Sequence, residues 1–199
     1  NIQNTYVAKA QKLTGNAEED EVLIERFERE AAALQQVGVG HGQVPTLFDY
    51  FDDQGNFFLI QGQVKGKTLM ESFLEVIDTG HVFSIAYAFK LTDELLDVVQ
   101  HLHSQGLIHR DIKPDNIILR EGDGKPVLID FGLIKQADDT NPLQSGTIAG
   151  TPGFMPIEQQ MGKGLYQSDL YAIGMVFLLL TTGISPRQLQ FDEEQIRFD

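Results

Sequence analysis

The chain has 199 residues, 42% of them apolar and 22% charged, which suits one globular domain or two small lobes and excludes a disordered chain. It has no cysteine, so disulfides, cysteine-based zinc sites and a thiol nucleophile are excluded. With 29 acidic against 15 basic residues the net charge is −14, a surface that repels nucleic-acid phosphates and anionic membranes, so nucleic acid is not an expected partner.

In chain order, Tyr6–Ala10 reads as a short strand and the polar run Gly15–Glu21 as a loop leading into a helix. Leu23, Phe27, Ala31 and Leu34 recur at three- to four-residue spacing, which predicts an amphipathic helix over Glu21–Gln36, ended by Gly38. Thr46–Phe51 and Asn56–Gln61 read as strands of a hairpin, with turn chemistry in Asp52-Asp53-Gln54-Gly55. After Lys65-Gly66-Lys67 the pattern turns helical. Ser84–Gln105 is predicted to form a long helix with Ile85, Phe89, Leu95, Leu96, Val99 and Leu102 on one broad face. Ile117–Leu119 and Val127–Ile129 read as strands joined by a Gly-rich turn, and Gly132–Glu158 as a long irregular segment of the kind that carries function. Ser168–Thr182 is an apolar helix, with Ser168 expected as its N-cap and Gly183 as its C-cap. Its most apolar stretch, Leu170–Leu180, falls short of the about 20 residues that span a bilayer, so no membrane span is expected in this segment.

Two clusters carry chemistry: His109-Arg110-Asp111-Ile112-Lys113-Pro114-Asp115-Asn116 and Asp130-Phe131-Gly132. Asp111, Asn116 and Asp130 offer hard oxygens of the kind that hold Mg²⁺, usually together with phosphates, and Lys113 offers a cation. The strands after Asn116 and before Asp130 form one short hairpin, so its ends bring these two residues close. Any one of them alone is more often a turn or surface residue; the joint pattern carries the weight.

That pattern resembles the catalytic loop and magnesium loop of the eukaryotic-type protein kinase family, and the lysine two residues after Asp111 resembles its serine/threonine branch. Bacterial members are the nearer likeness. The resemblance covers nearly the whole chain and implies an α+β, bilobal fold: a small antiparallel sheet lobe with one helix (1–61), a hinge (62–66) and a mainly helical lobe (67–199). It implies an ATP- and Mg²⁺-dependent protein serine/threonine kinase, acting on Ser/Thr of a protein substrate in the cytoplasm. Lys9 would hold the α- and β-phosphates and Glu30 would hold Lys9. Asp130 and Asn116 would bind magnesium, Asp111 would take the substrate hydroxyl proton, Lys113 would offset γ-phosphate charge, and Thr151 would orient Asp111 and Lys113. Gln61 would guard the back of the adenine site, backbone groups of Gly62 and Val64 would read its edge, and Val7 and Ile118 would pack on its faces. Leu34, Leu47, His109 and Phe131 fall where the family stacks side chains between lobes, and Asp169 where an aspartate braces the catalytic loop. A phosphate on Thr147 or Ser145 could pair with Arg110 and activate the enzyme.

The family's glycine-rich phosphate loop has no counterpart among residues 1–8, and Pro156-Ile157-Glu158 alters the family's Ala-Pro-Glu. The chain therefore reads as truncated at both ends, with Glu158 expected to lack its arginine partner and activity of this segment alone expected to be weak or absent. The alternative is a nucleotide-binding pseudokinase acting as an interaction module. The intact Lys9, Glu30, Asp111, Asn116 and Asp130 argue against it.

Overall fold

The computed structural model describes residues 5–38, 40–137, 149–188, 190–192 and 195–197. Strands β1 (Tyr6–Lys12), β2 (Leu47–Asp53) and β3 (Asn56–Gly62) form an antiparallel sheet in the order β1-β3-β2. The β2–β3 hairpin closes through Gln54 and Gly55, both at positive φ, as the turn chemistry predicts. Helix α1 (Ala17–Val37) packs on this sheet through Phe27, Ala31 and Leu34, with Phe27 against the rings of Tyr50 and Phe57.

Helix α1 starts four residues before the predicted Glu21. Asn16 caps it by accepting from Glu18 N–H, and the acidic first turn of Glu18, Glu19 and Asp20 suits the positive end of the helix dipole. The polarity that reads as a loop is thus a helix start. Strand β1 also runs two residues past Ala10, because its register with β3 continues to Lys12 opposite Asn56.

Strand β4 (Gly66–Thr68) leads into α2 (Leu69–Asp78), a helix the periodicity reading passes over. Its start carries a reciprocal capping box: Glu71 N–H donates to Thr68 Oγ1 at 3.1 Å and Thr68 N–H to Glu71 Oε2 at 2.7 Å. Gly66 has φ +151, and a Cβ there would overlap the Leu119 carbonyl of the neighbouring strand β6 (Ile117–Arg120), so the crossing needs glycine. Strand β6 pairs on its other side with β7 (Pro126–Leu128). Ile129 N–H donates to Asn116 C=O at 2.8 Å, which closes this hairpin and brings Asn116 and Asp130 to one end of it.

The helical part is built on α3 (Ile85–Ser104) and α5 (Tyr166–Thr182), which pack against each other. The inward stripe of α3 is Ala88, Leu91, Leu95, Val98, Val99 and Leu102. Each fully buried leucine there stabilises the fold by about 1.5–3 kcal/mol. Ile85 and Phe89 are 63% and 62% exposed, and Leu96, one residue off the stripe, is 39% exposed, so the predicted broad face is half correct. Helix α5 starts two residues before Ser168, and Ser168 is not its N-cap. Its Oγ accepts from Leu165 N–H at 3.1 Å from within the first turn. Gly183 ends the helix with φ 74, as expected. Among the described residues no helix is long and apolar enough to cross a membrane.

Strand β5 (Leu107–Ile108) pairs antiparallel with β8 (Lys135–Gln136), and β8 lies inside the stretch read as irregular. Helix α4 (Ile157–Gln160) follows, and β9 (Gln190–Asp192) pairs with β10 (Gln195–Arg197) near the end. Ser145 and Thr147 lie outside the described residues.

Candidate active site

Asp111 lies between β5 and β6, 8% exposed, with both carboxylate oxygens engaged. Thr151 Oγ1 donates to Asp111 Oδ1 at 2.7 Å and itself accepts from Lys113 Nζ at 2.8 Å. Lys113 Nζ also lies 2.9 Å from Asp111 Oδ2. Asn116, on the short helical turn before β6, donates through Nδ2 to Asp111 Oδ2 and to the Asp111 carbonyl, both at 2.9 Å. Donating through nitrogen leaves the Asn116 side-chain oxygen as an acceptor. Three predicted residues from two distant segments therefore meet around the Asp111 carboxylate.

A second group forms across the sheet. Lys9 Nζ on β1 is bound by both oxygens of Glu30 on α1, at 2.9 and 2.7 Å, and by Asp130 Oδ1 at 2.9 Å. Glu30 is buried, while the side chains of Lys9 and Asp130 are 41% and 48% exposed. Burial works against the Lys9 ammonium, but the carboxylates of Glu30 and Asp130 outweigh it and push its pKa above the ordinary lysine value. Burial likewise pushes Asp130 up, yet the Lys9 ammonium and the Gly132 N–H bring it below the usual carboxylate range. In Glu30 burial prevails over Lys9, and the carboxyl is raised. Lys9 is thus a fixed cation and Asp130 a fixed anion at the mouth of the site. Asp130 and Arg110 adopt positive φ, 62° and 67°, the strained backbone that clusters at functional sites.

Asp169, in the first turn of α5, explains how Arg110 is held in that conformation. Its carboxylate, 1% exposed, accepts from His109 N–H at 3.0 Å and from Arg110 N–H at 2.9 Å. A third bond comes from His103 Nε2 on α3 at 2.9 Å, a contact that nothing in the sequence announces. His109 is fully buried edge-on to Phe131, 5.0 Å between ring centroids, and burial lowers its pKa, which keeps the imidazole neutral. Leu34 and Phe131 belong to the same buried cluster and Leu47 packs against it. The Arg110 side chain donates through Nε to Leu133 C=O at 2.7 Å.

The predicted adenine-site residues fall along the strands that meet the chain's crossing between sheet and helices. Val7 of β1 stands opposite Gln61 of β3 in the ladder, and Ile118 of β6 stands opposite Val127 and Thr68. Gly62 N–H donates to Thr46 C=O at 2.9 Å and Gln63 N–H to Thr5 C=O at 3.0 Å. Val7 is 39% exposed and Ile118 is half-buried. Glu158 accepts a hydrogen bond from Ser168 Oγ at 3.3 Å. Gln159, 3% exposed in α4, is a buried polar residue of this region that the sequence reading missed. Among the described residues no three His, Asp or Glu side chains gather as a metal cage.

Residues 1–198 match the family model described as the protein kinase domain. The chain is 41% identical over 190 residues to serine/threonine-protein kinase PknA of Nostoc sp., covering 92% of this chain and 33% of that protein. It is 40% identical to serine/threonine-protein kinase C of Synechocystis sp. (96% of this chain, 37% of that protein) and 42% identical to serine/threonine-protein kinase B of the same organism (88% and 31%). The chain spans about a third of the length of these curated relatives. With a bilobal sheet-and-helix architecture, a paired Lys9–Glu30 and two clusters converging on its two site aspartates, this chain belongs to the protein kinase domain family, and its relatives include bacterial serine/threonine kinases.

Proposed function

We propose that the chain is the catalytic core of a protein serine/threonine kinase that moves the γ-phosphoryl group of ATP onto a Ser or Thr hydroxyl of a protein substrate. Membership of the family implies ATP and a divalent cation in general; Mg²⁺ is the specific reading. The observation that carries the proposal is the convergence of Thr151, Lys113 and Asn116 on Asp111 while Lys9 sits between Glu30 and Asp130. Residues 1–61 form the first lobe, 62–66 the hinge and 67–199 the second lobe in this reading.

Asp111 Oδ1 accepts one hydrogen bond from Thr151, and a carboxylate oxygen has room for a second, so Asp111 can orient the incoming hydroxyl and take its proton. Lys113, already beside Asp111, offsets charge on the transferring group. Lys9 holds the α- and β-phosphates, positioned by Glu30. The exposed Asp130 carboxylate and the Asn116 side-chain oxygen are hard ligands that fit Mg²⁺, which takes few protein oxygens and completes its shell with phosphate and water. A bound Mg²⁺ would neutralise phosphate charge. Gln61, the backbone of Gly62 and Val64, and the side chains of Val7 and Ile118 line the adenine end.

The test is phosphate transfer from labelled ATP to a basic protein, in the natural polypeptide that carries these residues and in its Asp111→Asn variant. Transfer that falls by about 10²–10⁴ in the variant, with nucleotide affinity kept, is the expected result. Nucleotide binding without transfer in the unmodified polypeptide would overturn the reading in favour of a pseudokinase interaction module. Activation by a phosphate on Thr147 or Ser145 is part of the proposal; Thr147→Ala and Ser145→Ala should each be compared for lost activity.

A further inference from the structure

Behind Thr151 the short helix α4 buries a side-chain amide. Gln159 Nε2 donates to the Arg110 carbonyl and to the Ala149 carbonyl, both at 2.6 Å. Because both partners are acceptors, only the amide nitrogen can face them, which fixes the orientation of the group. The two carbonyls belong to the two segments that meet at the site. Arg110 directly precedes Asp111, and Ala149 lies two residues before Thr151. Gly150 threads between them at φ +128, where an added Cβ would run into Gln159 Nε2 and lie 2.9 Å from the Arg110 carbonyl. The base of the amide is itself anchored, since Gln159 N–H donates to Pro156 C=O at 3.1 Å and Gly162 N–H to Gln159 C=O at 2.9 Å.

We infer that Gln159 is a positioning residue that sets the register of residues 149–151 on the catalytic loop, and so places the Thr151 hydroxyl between Asp111 and Lys113. The inference rests on the phosphotransfer reading for its kinetic consequence, but the clamp itself is a matter of structure. Its physical basis is that two short hydrogen bonds from one planar group fix two backbone segments at once. Leaving two buried carbonyls unpaired would let the segments separate. A shift of the hydroxyl by a fraction of an ångström is enough to misplace the Asp111 carboxylate it orients.

Gln159→Met keeps the length of the side chain and removes both donors, while Gln159→Glu turns a carboxylate toward two carbonyl oxygens. In the natural polypeptide we expect kcat to fall about tenfold for Gln159→Met and further for Gln159→Glu, with KM for ATP within about twofold, a split that general loosening would not give. Hydrogen–deuterium exchange supplies a readout that needs no activity: uptake should rise at residues 109–113 and 149–155 and stay unchanged in α3 and α5. Unchanged kcat in Gln159→Met, or unchanged exchange at those segments, overturns the inference. Should the unmodified polypeptide transfer no phosphate, the kinase reading fails on its own, and the exchange data alone decide the clamp. If Gln159→Glu does not fold, Gln159→Met carries the test.

Discussion

Asp169 binds three donors from two elements at 1% exposure, and its removal can be costed bond by bond. Asp169→Ala leaves the His109 and Arg110 N–H groups buried and unpaired, at about 1–3 kcal/mol each, and strips His103 of its partner. It also releases Arg110 from a φ of 67° that the carboxylate enforces. The two N–H groups together come to about 2–6 kcal/mol, a large share of the about 5–15 kcal/mol that a domain commonly has. For a chain of this size that is a fall in Tm of about 4–24 °C. Asp169→Asn keeps one acceptor oxygen and should lose about half as much. His103→Ala breaks only the bond nearest solvent, where the histidine side chain is 17% exposed, and should cost about 1 kcal/mol or less. Urea unfolding followed by circular dichroism gives all three values on one scale. The order Asp169→Ala, Asp169→Asn, His103→Ala is the expected one. A loss below about 1 kcal/mol for Asp169→Ala would refute the view that this carboxylate holds the catalytic loop.

Two further predictions concern the fold and its surface. Gly66→Ala forces a Cβ onto the Leu119 carbonyl at φ +151, backbone that cannot step aside, and should lower stability by about 2–4 kcal/mol, measured as a reduced urea midpoint; an unchanged midpoint would show that the β4–β6 crossing relaxes freely. Asp123, bound by the Arg120 guanidinium through hydrogen bonds of 3.0 and 2.6 Å, has its carboxyl lowered to about 2. Since the folded value is depressed, the stabilisation from this pair is present above the ordinary carboxylate pKa and is lost as pH falls toward about 2. A carboxyl-detected NMR titration should place the Asp123 midpoint there, and Arg120→Ala should return it toward the usual aspartate value; an Asp123 midpoint that ignores Arg120→Ala would show that the pair is not formed in solution.

Local pattern made much of this molecule legible. The period of Phe27, Ala31 and Leu34 marks α1, the Asp52–Gly55 turn marks the β2–β3 hairpin, and the glycines after Arg120 mark the turn to β7, because helix stripes and tight turns are written in neighbouring residues. The Thr68…Glu71 capping box that starts α2 is equally local. The motif around Asp111 and Asp130 identified the kinase family, since so specific a spacing of chemically mixed residues rarely arises from packing alone.

Tertiary structure decided what burial and long reach control. Sequence cannot show that Ile85 is exposed while Ala88 is buried, because helix period fixes a stripe's width but the packed neighbours, α5 among them, fix which stripe is covered. Nor does spacing say that Glu158 meets Ser168, that His103 reaches Asp169 from 66 residues away, or that Gln159 bridges Arg110 and Ala149. Lys9, Glu30 and Asp130 come from three elements, with Lys9 and Asp130 separated by 121 positions, and their contacts exist only once the sheet has docked on the helices. Residue type and order set the local conformations and the available chemistry. The geometry that brings that chemistry to one place comes from packing between segments distant in the chain, which local sequence does not encode.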